Sequence, residues 1–366
     1  MKVNNVCDTI IENLTKEWEL SIMNQKRDKW EISKHSKSEI NKAGNIVGNP
    51  NFTYEERAMS LNILNNWRAA HAYPLQVIAN NLRLNNPDAI VVQRLKRLDS
   101  IVGKLQRFPN MNLYRMQDLG GCRVIVDSIE EVYFVLDKYK NSKIRHILKR
   151  ENDYIQNPKS SGYRSYHMVY QFHSENKTEY NNKMLIEIQF RTKLQHTWAT
   201  AIEIMGIYTK SQLKASIGNE DILRFFALVS SVFAIIDKTP IVPNTSNDVI
   251  ELINEIKELD SKLNIVSRLS ALSTAINHVN KENIAIKNGY YVLQLNYQEK
   301  YLNINSFSRD KIELATNIYN KIEEIDDPNI DVVLVSATSF DTLKLAYPNY
   351  FTDISEFVNM MRLILE

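Results

Sequence analysis

Asp118 sits just before one alternating apolar run of this chain and Glu187 lies within another. Two carboxylates carried together by neighbouring strands can hold one Mg²⁺ against a triphosphate. The remaining phosphate charge must then fall to side-chain cations, because the chain has nine glycines and no GxxxxGK[ST] cradle. Cations are dense in "RLKRLDSIVGKL" (94–105), which contributes Arg94, Lys96, Arg97 and Lys104. The other concentration of chemistry is "ENDYIQNPKSSGYRSYH" (151–167), with Tyr154, Tyr163, Tyr166, Lys159, Arg164 and His167 and little that could build an apolar core.

Period-two alternation marks the strands that must position these groups, at "GCRVIVD" (121–127), "YHMVYQF" (166–172) and "MLIEIQF" (184–190). In the last, Met184, Ile186, Ile188 and Phe190 form a core face; Glu187, Gln189 and Arg191 on the alternate face point to solvent or a cleft. "SIEEVYFVLDKYK" reads as a helix after the first strand, and 151–167 as a loop. Upstream, Val91, Leu95, Leu98, Val102 and Leu105 follow a seven-residue repeat that predicts one amphipathic helix across "IVVQRLKRLDSIVGKLQRF". Further helices are expected in "ERAMSLNILNNWRAAHAYPLQVIANNL", "LQHTWATAIEIMG" and 220–237. The order implies a mixed sheet with helices packed on it, an α+β fold. "KTPIVPNTSND" (238–248) reads as a linker. Beyond it come a helical arm to about 286, a strand pair in "GYYVLQLNYQEKYLNIN", a helix over about 308–324, the strand "DVVLVSA" and a closing helical stretch, together a small α+β domain.

At 366 residues the chain has room for two domains, and its 24% charged and 44% apolar residues are ordinary for a soluble globular protein. No stretch approaches the ~20 apolar residues of a membrane span, and the polar start predicts no signal peptide, so a cytoplasmic protein with no membrane partner is expected. Cys7 and Cys122 are too few for a disulfide framework or a structural zinc site. The net charge of +2 conceals a division: Arg83 to His167 holds 16 Lys+Arg against 9 Asp+Glu, whereas Glu251 to Glu366 holds 11 against 17. A basic half suits an anionic substrate such as a nucleotide or RNA, and an acidic half suits a cover for it.

Four blocks in order, "RLKRLDSIVGKL", "YRMQDLGGCRVIV", "DYIQNPKSSGYRSYH" and "IEIQFRTKLQHTWA", resemble the RelA/SpoT synthetase family of pyrophosphate transferases over about residues 60–210. The resemblance implies a nucleotidyltransferase-like mixed sheet, Mg²⁺, and transfer of the β,γ-pyrophosphate of ATP to a ribose 3′-hydroxyl. It implies that Asp118 and Glu187 are the magnesium carboxylates, Glu187 also helping to activate the attacking hydroxyl. Arg94, Lys96, Lys104, Arg123 and Arg150 match the ATP-side cations. Tyr163 matches the tyrosine stacked on the acceptor base, with Lys159, His167, Gln189 and Arg191 around the acceptor. In that reading the loop is polar and aromatic because it is a platform for a nucleobase.

One position departs from the family. Alarmone synthetases typically show Arg-x-Lys-Asp-Tyr where this chain has "RENDY", so Asn152 replaces a phosphate-binding lysine. The pattern resembles the toxic small alarmone synthetases that modify the 3′ end of tRNA, and the alternative is a synthetase of (pp)pGpp or (pp)pApp. DNA is not expected as a partner. No histidine is followed by Asp, so the hydrolase motif of long family members is lacking. The tail carries "YPNY", with Tyr347 and Tyr350, and the whole arrangement is similar to the CapRel fused toxin and antitoxin proteins of phage defence. That likeness implies a zinc-finger-like tail without zinc, whose two tyrosines occlude the adenine pocket until a phage protein, typically the major capsid protein, releases them. The expected organisation is an N-terminal helical region (1–60), a pyrophosphotransferase domain (61–237), a linker and helical arm (238–286) and a regulatory domain (287–366).

Overall fold

The computed structural model describes Leu14 and residues 30–49, 51–181, 184–209, 211, 213–273, 278–279, 289–296, 299, 301–325, 327, 329–347, 350 and 354–366. Most of residues 1–29, the end of the expected helical arm (274–277 and 280–288), and Pro348 and Asn349 of "YPNY" lie outside the described residues.

From residue 30 on, three helices come first: α1 (Lys37–Gly48), α2 (Tyr54–Ala70) and α3 (Ala72–Asn85). Reciprocal capping boxes start two of them, Ser36 with Glu39 and Thr53 with Glu56, each satisfying two otherwise orphaned N–H groups. Then follow β1 (Ile90–Leu95), α4 (Leu98–Arg107), β2 (Gly120–Val126), α5 (Ile129–Lys140), β3 (Ile147–Asp153), β4 (Tyr166–Gln171) and β5 (Leu185–Thr192). A third capping box, Thr192 with Gln195, turns β5 directly into α6 (Lys193–Tyr208), which precedes α7 (Glu220–Ile236). After the irregular 238–248 stretch come α8 (Val249–Leu263), ended by left-handed Asn264, and α9 (Ile265–Ser273). The tail adds β6 (His278–Val279), β7 (Gly289–Asn296), β8 (Tyr301–Phe307), α10 (Ile312–Glu323), β9 (Ile330–Ala337), α11 (Phe340–Ala346) and α12 (Ser355–Leu365).

Two local expectations are corrected. Residues 90–95, expected as the first half of a long helix, are a strand antiparallel to β2, and the helix begins only at Leu98. β1 lies inside the sheet with both faces covered, Val91 in one apolar cluster and Val92 in another. A strand buried on both sides reads as a continuous apolar run, which here mimics a helical repeat when joined to α4. The stretch 151–167 is also less open than expected: its start completes β3, and Ile155, Arg164 and Ser165 are buried.

The strands form one nine-stranded mixed sheet in the order β3-β4-β5-β2-β1-β9-β7-β8-β6. The only parallel neighbours within the first five strands are β2 and β5, and the tail joins through β1 and β9, where Gln93 faces Ser336 and Arg94 faces Val335. One face of β2, β4 and β5 buries Val124, Met168, Ile186 and Ile188 together with residues of α3 and α5. On the tail, Val292 and Leu334 pack with α10, whereas Leu293, Val333 and Val335 face the opposite way and cluster with Tyr347 and Tyr350. α6 to α9 and α12 build a separate apolar layer around Trp198, Phe226, Leu252, Leu269 and Phe357. No helix among the described residues is long and apolar enough to cross a membrane.

Candidate active site

Sheet register assembles the polar groups. Across β3, β4, β5, β2 and β1, one row of paired residues reads Arg150, Val169, Glu187, Gly121, Arg94, and the next reads Asn152, His167, Gln189, Arg123, Val92. Paired residues share a face, so polar and charged side chains from five strands converge opposite the apolar cluster. Lys96 and Asp118 enter from the loops at the ends of β1 and β2. A cavity of about 60 Å³ lies between them, lined by Arg94, Lys96, Asp118, Gly121, Arg123, Glu187, Gln189 and Tyr347. Gly121 would have room for a methyl group, its nearest neighbour being the Arg94 carbonyl at 3.9 Å, and its bare Cα contributes open space between Glu187 and Arg94.

The two carboxylates are held differently. Asp118 accepts from the Lys96 ammonium at 2.8 Å and the Lys104 ammonium at 3.0 Å. Burial alone would raise its pKa, but the two cations outweigh burial and bring it down to about 2. Glu187 is gripped by two side chains: His167 Nδ1 lies 3.1 Å from Oε1, and Gln189 Nε2 lies 2.6 Å from Oε2. Burial again opposes ionisation, and these contacts overcome it to lower its pKa. Both groups are thus anionic near neutrality. Among the described residues no group of three or more His, Cys, Asp and Glu side chains comes together to hold a metal. Two ionised oxygen donors on one cavity nevertheless fit Mg²⁺, which takes few protein ligands and completes its shell with water and phosphate oxygens.

The aromatic loop packs beside Glu187. Tyr163 and His167 meet through Oη and Nε2 at 2.8 Å, and the Lys159 ammonium lies 4.4 Å above the Tyr154 ring and 5.2 Å above the Tyr163 ring. Gly162 permits this fold-back: its φ is +89°, its N–H donates to the Lys159 carbonyl at 2.8 Å, and its carbonyl accepts from Ser230 Oγ at 2.6 Å.

The structure brings Asp118, Glu187, Arg94, Lys96, Lys104, Arg123 and Gln189 around one cavity, with Tyr163, Lys159 and His167 adjoining it. Arg150 stays exposed on β3 and contacts Asn152 at 3.5 Å. Arg191 is a correction: expected on the cleft face among acceptor-binding groups, it is 2% exposed and bonds His196, because β5 sinks beneath the helical layer as it enters α6. Burial lowers the pKa of Arg191.

Tail groups reach into this region. Tyr347 forms a wall of the cavity, donates to the Gln93 carbonyl at 3.2 Å and lies 5.8 Å from the Arg123 guanidinium. Arg123 also donates to the Ala346 carbonyl at 2.9 Å. Tyr350 does not line the cavity; it is fully buried and accepts from Arg97 at 3.3 Å. In the sequence Arg97 stood out only as one cation of the dense 94–105 block, with no role of its own. It also pairs with Asp331 of β9 and lies 3.8 Å from Glu203 of α6. Glu203 in turn holds Lys214 at 2.5 Å, and burial lowers the Lys214 ammonium to about 8. Glu203 and Lys214 gave no sequence signal, since only folding brings them beside residue 97. Tyr154 was visible in the sequence as one of the tyrosines of 151–167, without a role of its own, and the fold places its ring under Lys159.

Residues 93–213 match the family model described as the region found in RelA/SpoT proteins. The chain is 33% identical over 128 residues to the GTP pyrophosphokinase YwaC of Bacillus subtilis (strain 168), covering 33% of this chain and 59% of that protein. It is 31% identical over 118 residues to the GTP pyrophosphokinase YjbM of the same organism, covering 32% of this chain and 55% of that protein. The chain therefore spans somewhat over half the length of these curated relatives. Among solved structures it is similar to the small alarmone synthetase 1 from Bacillus subtilis bound to its product pppGpp, with 25% identity, coverage of 47% of this chain and 93% of the other, and a TM-score of 0.37. It is also similar to a GTP pyrophosphokinase family protein from Streptococcus pneumoniae, with 26% identity, coverage of 51% and 91%, and a TM-score of 0.38. The match to the RelA/SpoT region thus spans residues 93–213, about a third of the chain.

Proposed function

We propose that this chain is a pyrophosphokinase that moves the β,γ-pyrophosphate of ATP to a ribose 3′-hydroxyl. The observation that carries the reading is the meeting of Asp118 and Glu187 on one cation-lined cavity beside the Tyr163 loop. Mg²⁺, when bound by Asp118 and Glu187, would neutralise charge on the transferring group. Arg94, Lys96, Lys104 and Arg123 bind the donor phosphates. Glu187, held by His167 and Gln189 rather than by lysines, accepts the proton of the attacking hydroxyl, while Asp118, ionised between two lysines, stays a fixed charge. Tyr163 and Lys159 orient the acceptor base.

The acceptor we favour is the 3′ end of tRNA. Asn152 stands where alarmone synthetases carry a lysine, and the adjoining edge strand exposes Lys149 and Arg150 toward a large anionic partner. A second reading, a guanine nucleotide acceptor, is favoured by the names of the relatives. The tail, read as a zinc-finger-like antitoxin module, would hold the enzyme closed: a cavity of about 60 Å³ walled by Tyr347 is far below the ~300 Å³ of the smallest ordinary ligand sites. Release by a phage protein such as the major capsid protein would then begin phage defence by blocking translation.

Incubation with γ-labelled ATP and either tRNA or GTP tests this. Label on the tRNA 3′ end is the expected result; label on GTP alone selects the second reading. Glu187→Gln should abolish both labelling and growth inhibition, and growth inhibition that persists in this variant would mean that RNA binding without chemistry accounts for the effect.

A further inference from the structure

We propose that the cleft between α2 and α10 is a second ligand site, suited to a purine nucleoside, and that its occupant holds the tail against the rest of the chain. The site is separate from the Asp118 cavity, and neither it nor its occupant depends on the pyrophosphotransfer reading.

The cleft measures about 340 Å³, within the roughly 300–1,000 Å³ of ordinary small-molecule sites. Asn62, Asn65 and Ala69 line it from α2, Thr316 and Asn317 line it from α10, and Trp30 adds an indole ring. Positions 62, 65 and 69 recur at helical spacing and so form one face of α2. Trp30 is half-buried and packs on the apolar cluster of the first sheet strands as well as on that of the tail. The ring therefore sits at the junction of the two.

The asparagines around the cleft divide into two groups. Asn66 donates to Glu31 Oε1 at 2.6 Å and to the Ile32 carbonyl at 3.0 Å, and accepts from the Lys34 N–H at 2.9 Å, which fastens the segment after Trp30 to α2. Asn320 accepts from Arg68 at 2.8 Å and so ties α10 to α2. These two build the walls. The other three, Asn62, Asn65 and Asn317, make no hydrogen bond among the described residues, and the Oδ1 of Asn65 is buried without a partner. A carboxamide has one donor end and one acceptor end, and rotation about its last torsion can offer either to the cleft.

Three unpaired carboxamides beside an indole suit a flat, uncharged heterocycle with donors and acceptors along its edge. A purine base has that chemistry: asparagine pairs with the N6/N7 edge of adenine, and aromatic side chains stack on base faces. Phosphates are not provided for. Lys34 is already paired with Glu31 at 2.6 Å, and His35 and Glu313 complete a rim of balanced charge. The occupant is therefore a nucleoside rather than a nucleotide. Because α2 and α10 each supply a wall, it touches both, and a ligand that binds the docked arrangement better shifts the chain toward it.

Calorimetric titration of the full chain with adenosine and with guanosine tests the site. At least one should bind, and purine riboside, which keeps the ring but lacks the exocyclic groups, should bind about tenfold more weakly or worse. Asn65→Leu should weaken binding by about tenfold or more, yet melt no lower than the wild type without nucleoside, because it removes an unpaired buried oxygen. Asn62→Ala and Asn317→Ala change exposed positions and carry the same test should Asn65→Leu fail to fold. Failure of both nucleosides to bind would overturn the proposal. So would binding that is unchanged in all three variants, since the nucleoside would then lie elsewhere, as in the Asp118 cavity. Hydrogen exchange of the α10 amides should slow when the nucleoside binds; exchange that stays the same with binding intact would overturn the claim that the occupant holds the tail.

Discussion

The Arg68 guanidinium lies 2.7 Å from the Glu323 carboxylate, with the two side chains 1% and 8% exposed, and this pair ties α2 to α10 of the tail. The same carboxylate accepts from the Leu98 N–H at 2.6 Å, at the start of the helix that carries Lys104. Arg68 also donates to Asn320 at 2.8 Å. Removing one partner leaves the other charged and buried, so Glu323→Ala should cost about 3–5 kcal/mol, whereas Arg68→Met combined with Glu323→Leu should cost less than the two single losses added together, since the Leu98 N–H and Asn320 lose a partner but no buried charge is left unpaired. Chemical denaturation of the single and double variants checks this; a double-variant loss equal to the sum of the two single losses would show that the pair is not energetically coupled.

Tyr347 and Tyr350 should separate by role. Tyr347→Ala removes a wall of the cavity and frees Arg123 from the ring beside it, so ATP affinity and toxicity on induction should rise, about tenfold for each 1.4 kcal/mol by which the closed form is weakened. Tyr350→Phe keeps the buried ring and deletes the hydrogen bond from the Arg97 guanidinium, worth about 1.5–3 kcal/mol; Tyr350→Ala should be toxic like Tyr347→Ala. ATP titration with growth assays decides, and harmless alanine variants at both positions would rule out occlusion by the tail.

His71 links stability to pH. Its ring is buried, Nδ1 bonds the Trp67 carbonyl at 2.7 Å, and burial holds its pKa at about 4 against an ordinary 6.5. The unfolded chain therefore takes up the proton first, and the contribution of the neutral ring, complete above pH 6.5, is lost as pH falls toward 4, by roughly 3 kcal/mol. Unfolding curves of His71→Gln across this window should slope less steeply than those of the wild type. Parallel slopes would exclude this assignment.

Gly162→Ala should be costly in both stability and turnover. A methyl group would lie 2.8 Å from Ser230 Cβ and 2.9 Å from Trp198, at a φ of +89° that side chains avoid. A loss of about 1–3 kcal/mol is expected, with Tyr163 displaced from His167. A melting temperature and Tyr163–His167 contact like those of the wild type would show that the loop does not depend on this turn.

The groups that line the cavity were largely legible in the linear chain. Asp118, Glu187, Arg94, Lys96, Lys104 and Arg123 declared themselves by type and block, and the alternation in 184–190 correctly placed Glu187 and Gln189 on one face because strand periodicity is local. Local periodicity failed at 90–98, where a doubly buried strand followed by a helix imitates a single heptad pattern.

What the sequence by itself determined is therefore the inventory of the site and most of the elements that carry it, since capping, alternation and turn chemistry act over a few residues. Only the tertiary structure decided which partners those groups take: that the tail strands join the same sheet through β1, that Arg191 is buried while Arg97 is drawn to Asp331 and Tyr350, and that His167 bridges Tyr163 and Glu187. These pairings join residues far apart in the chain, and their energies depend on burial and strand register, which no local pattern encodes.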